Sequence, residues 1–188
     1  MVVVNNFLPI YYFNKLCNLF EYGDTVKNTT LNWNWNSNSV YEDKPDNCFM
    51  FTHSLWSKET PGRTTSFFEK FEPILYSLND HQKFNNLIRM KLNLYTNQGK
   101  RIVHTAHTDI NKNPFLNKGN NGPEENITIC ILNFTTCNGG TIIDNVEYPS
   151  IANQALIFNN KIIHQGITQT YKSNIICLNI AVKNKNKE

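Results

Sequence analysis

Arginine is scarce in this chain: only Arg63, Arg89 and Arg101 stand against fifteen lysines. The formal net charge is only +3, and much of the excess falls in the closing run from Lys183 to Lys187. Without a basic stripe there is little attraction for phosphates, so a nucleic-acid partner is not expected. Apolar runs of membrane-spanning length are also missing, which argues against a transmembrane protein. The opening MVVVNNFLPIYYF has neither a basic leader nor a small-residue cleavage site, and a cytoplasmic location is the expectation. Cys17, Cys48, Cys130, Cys137 and Cys177 are odd in number, widely spaced and form no CxxC, which fits reduced thiols rather than a disulfide framework. No internal repeat is present.

What remains is the composition of an ordinary globule, 40% hydrophobic and 18% charged, and its length suits one domain. That domain is expected over residues 1–182, with a frayed basic tail at 183–188. Val2 to Asn5 reads as a short strand, and Pro9 opens an amphipathic helix with Tyr12, Leu16, Leu19 and Phe20 at helical spacing. LNWNWN and CFMFTHSLW read as strands, with Trp33 and Trp35 taken as packing residues. A second helix is predicted from Thr65 to Leu78, and a third from Asp80, a good cap for HQKFNNLI. From Arg89 onward short runs dominate: RMKLNLY, RIVHTAHTDI, ITICILNF, GTII, ALIF, KIIHQG and IICLNIAV. Helices followed by such a density of strands indicate a mainly-β α+β fold, a sandwich or jelly roll. The polar segment Asn111 to Asn126 is long for a compact domain and leaves directly from His-Thr-Asp, which suggests a lid.

Two of the five histidines and an aspartate fall together in VHTAHTDI. On a strand, residues i and i+2 share a face, so His107 and Asp109 point together while His104 faces away. His104, His53 and His81 have no partner pattern and receive no role. His164, at the end of ALIFNNKIIHQG, supplies a third arm. Two imidazoles and a carboxylate on one face of a metal leave three positions open, which suits Fe(II) binding a bidentate cosubstrate and then O2. HxD alone is a weak signal; a distant His-x-Gly strengthens it.

With these motifs the sequence resembles the 2-oxoglutarate- and Fe(II)-dependent oxygenases, in particular the compact prolyl-hydroxylase-like type common in phage and other viral genomes. The resemblance spans nearly the whole chain: VVVNNFLP and its helix, FTHSLW, RMKLNLYTNQGK before HTD, Asn138-Gly-Gly-Thr141, and ALIFNNKIIHQG. It implies a double-stranded β-helix (a jelly roll) with supporting N-terminal helices and a triad of His107, Asp109 and His164. It further implies Fe(II), O2 and the cosubstrate 2-oxoglutarate, with ascorbate as a stimulant. Hydroxylation of a protein or peptide residue such as proline, or of a small molecule, would release succinate and CO2. A viral enzyme would act in the host cytoplasm. The retained Asp109 argues against the halogenating variants. Gly139 and Gly140 are read as a turn requiring positive φ.

The departure lies in the cation that holds the 5-carboxylate of 2-oxoglutarate. The family carries it on the strand after the distal histidine, where this chain has Asn174 and Ile175. Lys172 is the nearest cation, with Arg89 and Lys91 in reserve, because alternation places Arg89, Lys91, Asn93 and Tyr95 on one strand face. Tyr95 and Asn93 are expected to contact the cosubstrate. The missing arginine leaves an alternative function open, a non-catalytic metal-binding jelly-roll interaction module. Oligomeric state is not readable.

Overall fold

The computed structural model describes residues 1–39, 48–59, 65–111 and 123–185. The elements in chain order are β1 (Val2–Val4), α1 (Ile10–Tyr22), β2 (Asn34–Asn36), β3 (Met50–Ser57), α2 (Phe68–Phe71), α3 (Ile74–His81), β4 (Phe84–Thr96), β5 (Ile127–Asn133), β6 (Gly140–Ile143), β7 (Val146–Pro149), β8 (Ala155–Asn159), β9 (His164–Ile167) and β10 (Asn174–Asn184). Seven strands form a large sheet in the order β1-β8-β5-β10-β4-β3-β2, and three form a small one in the order β7-β6-β9. Every strand pair is antiparallel. These are the two sheets of a double-stranded β-helix, with helices on the outer side.

Alternation along the strands sorts the core into two layers. Met90 and Leu92 of β4, Cys130 and Leu132 of β5, and Ile176, Leu178, Ile180 and Val182 of β10 pack toward Phe13 and Leu16 of α1 and Ile74 and Leu78 of α3. Their neighbours one residue along face the small sheet: Ile127, Ile129 and Ile131 of β5, with Cys177 and Ala181 of β10, pack beside Ile143 of β6. Because both faces of β5 are covered, ITICILN is buried at every position. That is why it reads as a continuous apolar run rather than an alternating one.

Several expectations are corrected. The helix predicted over Thr65–Leu78 is two short helices, interrupted where Pro73 cannot donate to the preceding turn. The helix predicted from Asp80 does not form. Gln82 is already extended, and β4 begins at Phe84 because its residues pair with β10 along nearly their whole length. Long-range pairing overrides the local capping signal there. β10 continues through Asn184, and the Lys183 ammonium binds the Glu124 carboxylate at 3.2 Å, so the expected tail is strand at its start. Trp33 packs against the core as expected, but Trp35 is 62% exposed. β7 was not anticipated at all; VEYP is short and mostly exposed. The proposed lid lies largely outside the described residues, whose edges meet in an Asn111–Pro123 bridge.

Candidate metal centre

RIVHTAHTDI is not a regular strand. It touches the small sheet through single bridges, Val103 to Ile167 and His107 to His164. His107 and His164 exchange both backbone hydrogen bonds, at 3.1 and 3.0 Å, which places their rings 4.4 Å apart. Past Asp109 the chain is pinned by Asn160. Its side-chain oxygen accepts from the Ile110 N–H at 3.1 Å, and its amide donates to the Ile110 carbonyl at 2.7 Å. Asn160 is buried, so this clasp is shielded from water.

The result is the triad that the motifs implied: donor atoms of His107, Asp109 and His164 all lie within 4.8 Å of one another. Nε2 of His164 is 3.3 Å from Oδ2 of Asp109. Two ligands each bonded to one metal ion at about 2.1 Å sit about 3.0–3.4 Å apart, so these two atoms are spaced to share a metal. Nδ1 of His107 is 3.0 Å from the Thr105 carbonyl, which fixes the tautomer and leaves Nε2 as the donor. Phe158 packs on the His164 ring at 5.0 Å. Nδ1 of His164 is buried with no hydrogen-bond partner among the described residues.

The large sheet grips the third ligand from the other side. Arg89 of β4 donates to Asp109 Oδ1 at 2.6 Å, and Asn179 of β10 donates to Oδ2 at 3.1 Å. Arg89 also donates to the Asn179 side-chain oxygen at 3.1 Å, closing a three-residue ring. Burial alone would raise the Asp109 carboxyl, but His164 and Arg89 outweigh it and hold it well below the usual carboxylate range. Burial and the neighbouring His164 lower His107, which keeps its imidazole neutral and able to bind metal near pH 7. Asp109 therefore offers charge and the imidazoles offer lone pairs. This donor set fits a divalent first-row metal such as Fe(II).

A cavity of about 60 Å3 opens on the triad. At roughly 10–15 Å3 per water, that is space for a few waters or a small organic acid. Its walls include Lys91, Asn93 and Tyr95 of β4, Ile175, Cys177 and Asn179 of β10, and His104. Tyr95 and Asn93 thus both line the cavity beside the triad. Lys172 does not: it is exposed in the turn before β10 and is not among the lining residues. Of the reserve cations, Arg89 is committed to Asp109, and Lys91 lines the cavity.

His104, given no role from sequence, is buried and lies 5.0 Å from the Tyr95 ring. The chain is not a regular strand here, so period-two alternation does not turn His104 away from the cavity. A side chain on Gly166 would strike the His104 ring, so that position requires glycine's bareness. Gly139 and Gly140 likewise do not take the left-handed backbone expected of them. Cβ atoms there would collide with Ile175 and with the Tyr148 carbonyl, so close strand packing is what excludes a side chain.

No family model matches the sequence, and no curated protein matches it. Solved structures do match. A prolyl-4-hydroxylase from Pseudomonas putida superposes with TM-score 0.58 at 11% identity, over 98% of this chain and 92% of its own. An oxidoreductase of the 2OG-Fe(II) oxygenase family from Burkholderia pseudomallei gives 0.65 at 8% identity, over 98% and 86%. The fold is that of the 2-oxoglutarate and Fe(II) oxygenases. It is shared by the non-heme alpha ketoglutarate dependent epimerase SnoN from nogalamycin biosynthesis, with TM-score 0.59 and 9% identity over 97% and 78%. At such identities the likeness establishes the oxygenase fold, and the chemistry must be argued from the side chains. Among the described residues no helix is long and apolar enough to cross a membrane.

Proposed function

We propose that the protein is an Fe(II)- and 2-oxoglutarate-dependent dioxygenase that hydroxylates a protein or peptide residue such as proline, or a small molecule. One observation carries the reading: two imidazoles and an ionised carboxylate converge within 4.8 Å beside a cavity between the two sheets. Bound Fe(II) with 2-oxoglutarate and O2 supplies an oxidant able to attack an unactivated C–H bond, releasing succinate and CO2.

The chain's own residues do the rest. His107, Asp109 and His164 would hold the metal beside the cavity. Arg89 and Asn179 hold Asp109 so that Oδ2 faces His164, orienting the anionic donor before metal arrives. Ile131, Ile167 and Ile175 make part of the wall apolar, limiting water around the oxidant. Asn93 and Tyr95 offer the cosubstrate an amide and a phenol. The similarity to a prolyl-4-hydroxylase favours hydroxylation of a peptidyl residue, and the epimerase on the same fold keeps a small molecule in view.

The test is turnover. Purified protein given Fe(II), 2-oxoglutarate, ascorbate and O2 should form succinate, faster in the presence of substrate. A protein that binds metal yet forms no succinate and binds no 2-oxoglutarate is instead a metal-binding interaction module.

A further inference from the structure

A second cavity, of about 360 Å3, lies on the face of the large sheet turned away from the triad. His53 of β3 lines it, and His53 pairs with Leu92, whose side chain packs on the helix side. The residues flanking Leu92, Lys91 and Asn93, line the triad cavity on the opposite face. The second cavity falls within the ~300–1,000 Å3 typical of small-molecule sites. Thr29, Thr30, Thr65 and Ser66 also line it, and none of its described lining residues is Asp, Glu, Lys or Arg. The hydroxyls of Thr29, Thr30 and Ser66 have no hydrogen-bond partner among the described residues. His53 is buried, and its Nδ1–H donates to the Asn32 carbonyl at 2.7 Å. In the neutral ring Nε2 then accepts from the Thr65 hydroxyl at 3.2 Å, which leaves the Thr65 oxygen free to accept from a ligand.

An aromatic strip adjoins this cavity. Trp33 meets the His53 ring edge-on, with centroids 6.5 Å apart. Trp35 lies two residues on, roughly 7 Å along the chain and on the same face. It belongs to β2, the edge of the large sheet, and is 62% exposed, so packing does not account for it. Its cross-strand neighbour Phe51 is half-buried and meets Phe49 edge-on at 6.1 Å.

Hydroxyls that both donate and accept match a ligand whose own groups do both. An exposed indole takes a flat, apolar C–H face, and a lining without formal charge offers an ion no partner. Sugars combine these properties. A proline-rich peptide would also stack on tryptophan, but its backbone supplies mainly acceptors and would leave the Thr65 lone pairs unmatched. We infer that the Trp35 strip and the cavity beneath His53 form a binding site for a neutral saccharide, separate from the metal centre. The inference is independent of the oxygenase reading. Because the site faces away from the triad, its role is attachment to a glycan rather than chemistry on it.

The experiment titrates the protein with neutral trisaccharides of glucose, galactose, mannose and N-acetylglucosamine, and with a proline-rich peptide, by tryptophan fluorescence and calorimetry. At least one saccharide should bind tighter than about 1 mM. Trp35→Ala should weaken it about three- to tenfold, and Trp35→Phe should restore most of the loss. Thr30→Val, which keeps the shape and removes one hydroxyl, should weaken it about two- to tenfold. Trp35 and Thr30 are both exposed, so circular dichroism should stay native, and Mn(II) affinity should stay within about twofold of wild type. No saccharide binding tighter than about 1 mM overturns the assignment, as does saccharide binding that both Trp35→Ala and Thr30→Val leave unchanged. Binding of the peptide with none of the saccharides overturns it in favour of a peptide-docking face.

Discussion

The two sheets divide the labour unevenly. The large sheet is the buried one: Ile127, Ile129, Leu132, Leu178, Ile180 and Val182 are inaccessible to solvent. The small sheet is thin, and β7 is mostly exposed. Yet His164 belongs to the small sheet, His107 hangs from it by a single bridge, and the chain just past Asp109 is clasped by Asn160 at the end of β8. The large sheet provides no metal ligand, but it supplies Arg89 and Asn179, which aim the carboxylate, and Lys91, which faces the cavity. Packing rigidity thus sits in one layer and the donor atoms in the other, joined at Asp109. Substitutions in the two layers should consequently fail in different ways, some losing metal and some losing the fold.

The largest effect is expected at the joint. Asp109→Ala removes the only anionic donor and leaves Arg89 as an uncompensated cation beside the metal. Affinity for Fe(II) or Mn(II) should fall by a hundredfold or more, measured by calorimetry or Mn(II) resonance, while circular dichroism stays native. Retention of wild-type metal affinity would remove Asp109 from the triad.

Next comes the layer that holds the fold. Leu178 is fully buried on the helix side of β10, facing away from the cavity. Leu178→Ala should cost about 2–5 kcal/mol through lost burial and the space left behind. At roughly 2–4 °C per kcal/mol for a domain of this size, Tm should drop by roughly 4–20 °C. Below its new Tm, the variant should bind metal as wild type does. Metal affinity that fell in step with stability would mean the two layers are not separable.

A smaller effect is expected where one sheet reaches into the other. Asn179→Ala deletes the amide bonded to Asp109 Oδ2 without touching a ligand. Loss of such an outer partner typically costs about 10–100-fold in metal affinity, and the retained Arg89 bond sets the expectation near tenfold. An affinity equal to wild type would leave Arg89 as the sole effective grip.

The same division explains what the sequence could disclose. The triad was legible because its donors form a short motif plus one distant histidine, and because imidazole and carboxylate chemistry restricts what such a set binds. Strands β5, β6, β8 and β10 were legible from apolar runs bounded by turn residues. The second grip on Asp109 was not, because Asn179 reaches it only through the pairing of β10 with β4. Nothing local distinguishes Asn179 from the many other asparagines. Alternation did place Arg89, Lys91, Asn93 and Tyr95 on one face, but it could not say that Arg89 would be spent on Asp109 and Lys91 left facing the cavity. His104 was missed because period-two reasoning was applied to a segment bound by isolated bridges.

The smallest effect tests the exposed layer. Val146 in β7 is 52% exposed, and β7 forms the edge of the small sheet. Its backbone pairs with Ile143, so a substitution there keeps the strand's hydrogen bonds and removes only half-solvated methyl groups. Val146→Ala should change stability by no more than about 0.5 kcal/mol, allowing for alanine's weaker strand preference. Metal affinity should stay within about twofold, because the triad touches this sheet at β9, on the opposite side of β6. Chemical denaturation and a metal titration on the same preparation check both numbers. A loss comparable to that of Leu178→Ala would show that the small sheet bears as much of the fold as the large one. A loss of metal with stability intact would show instead that strain at the far edge of the sheet passes through β6 to His164.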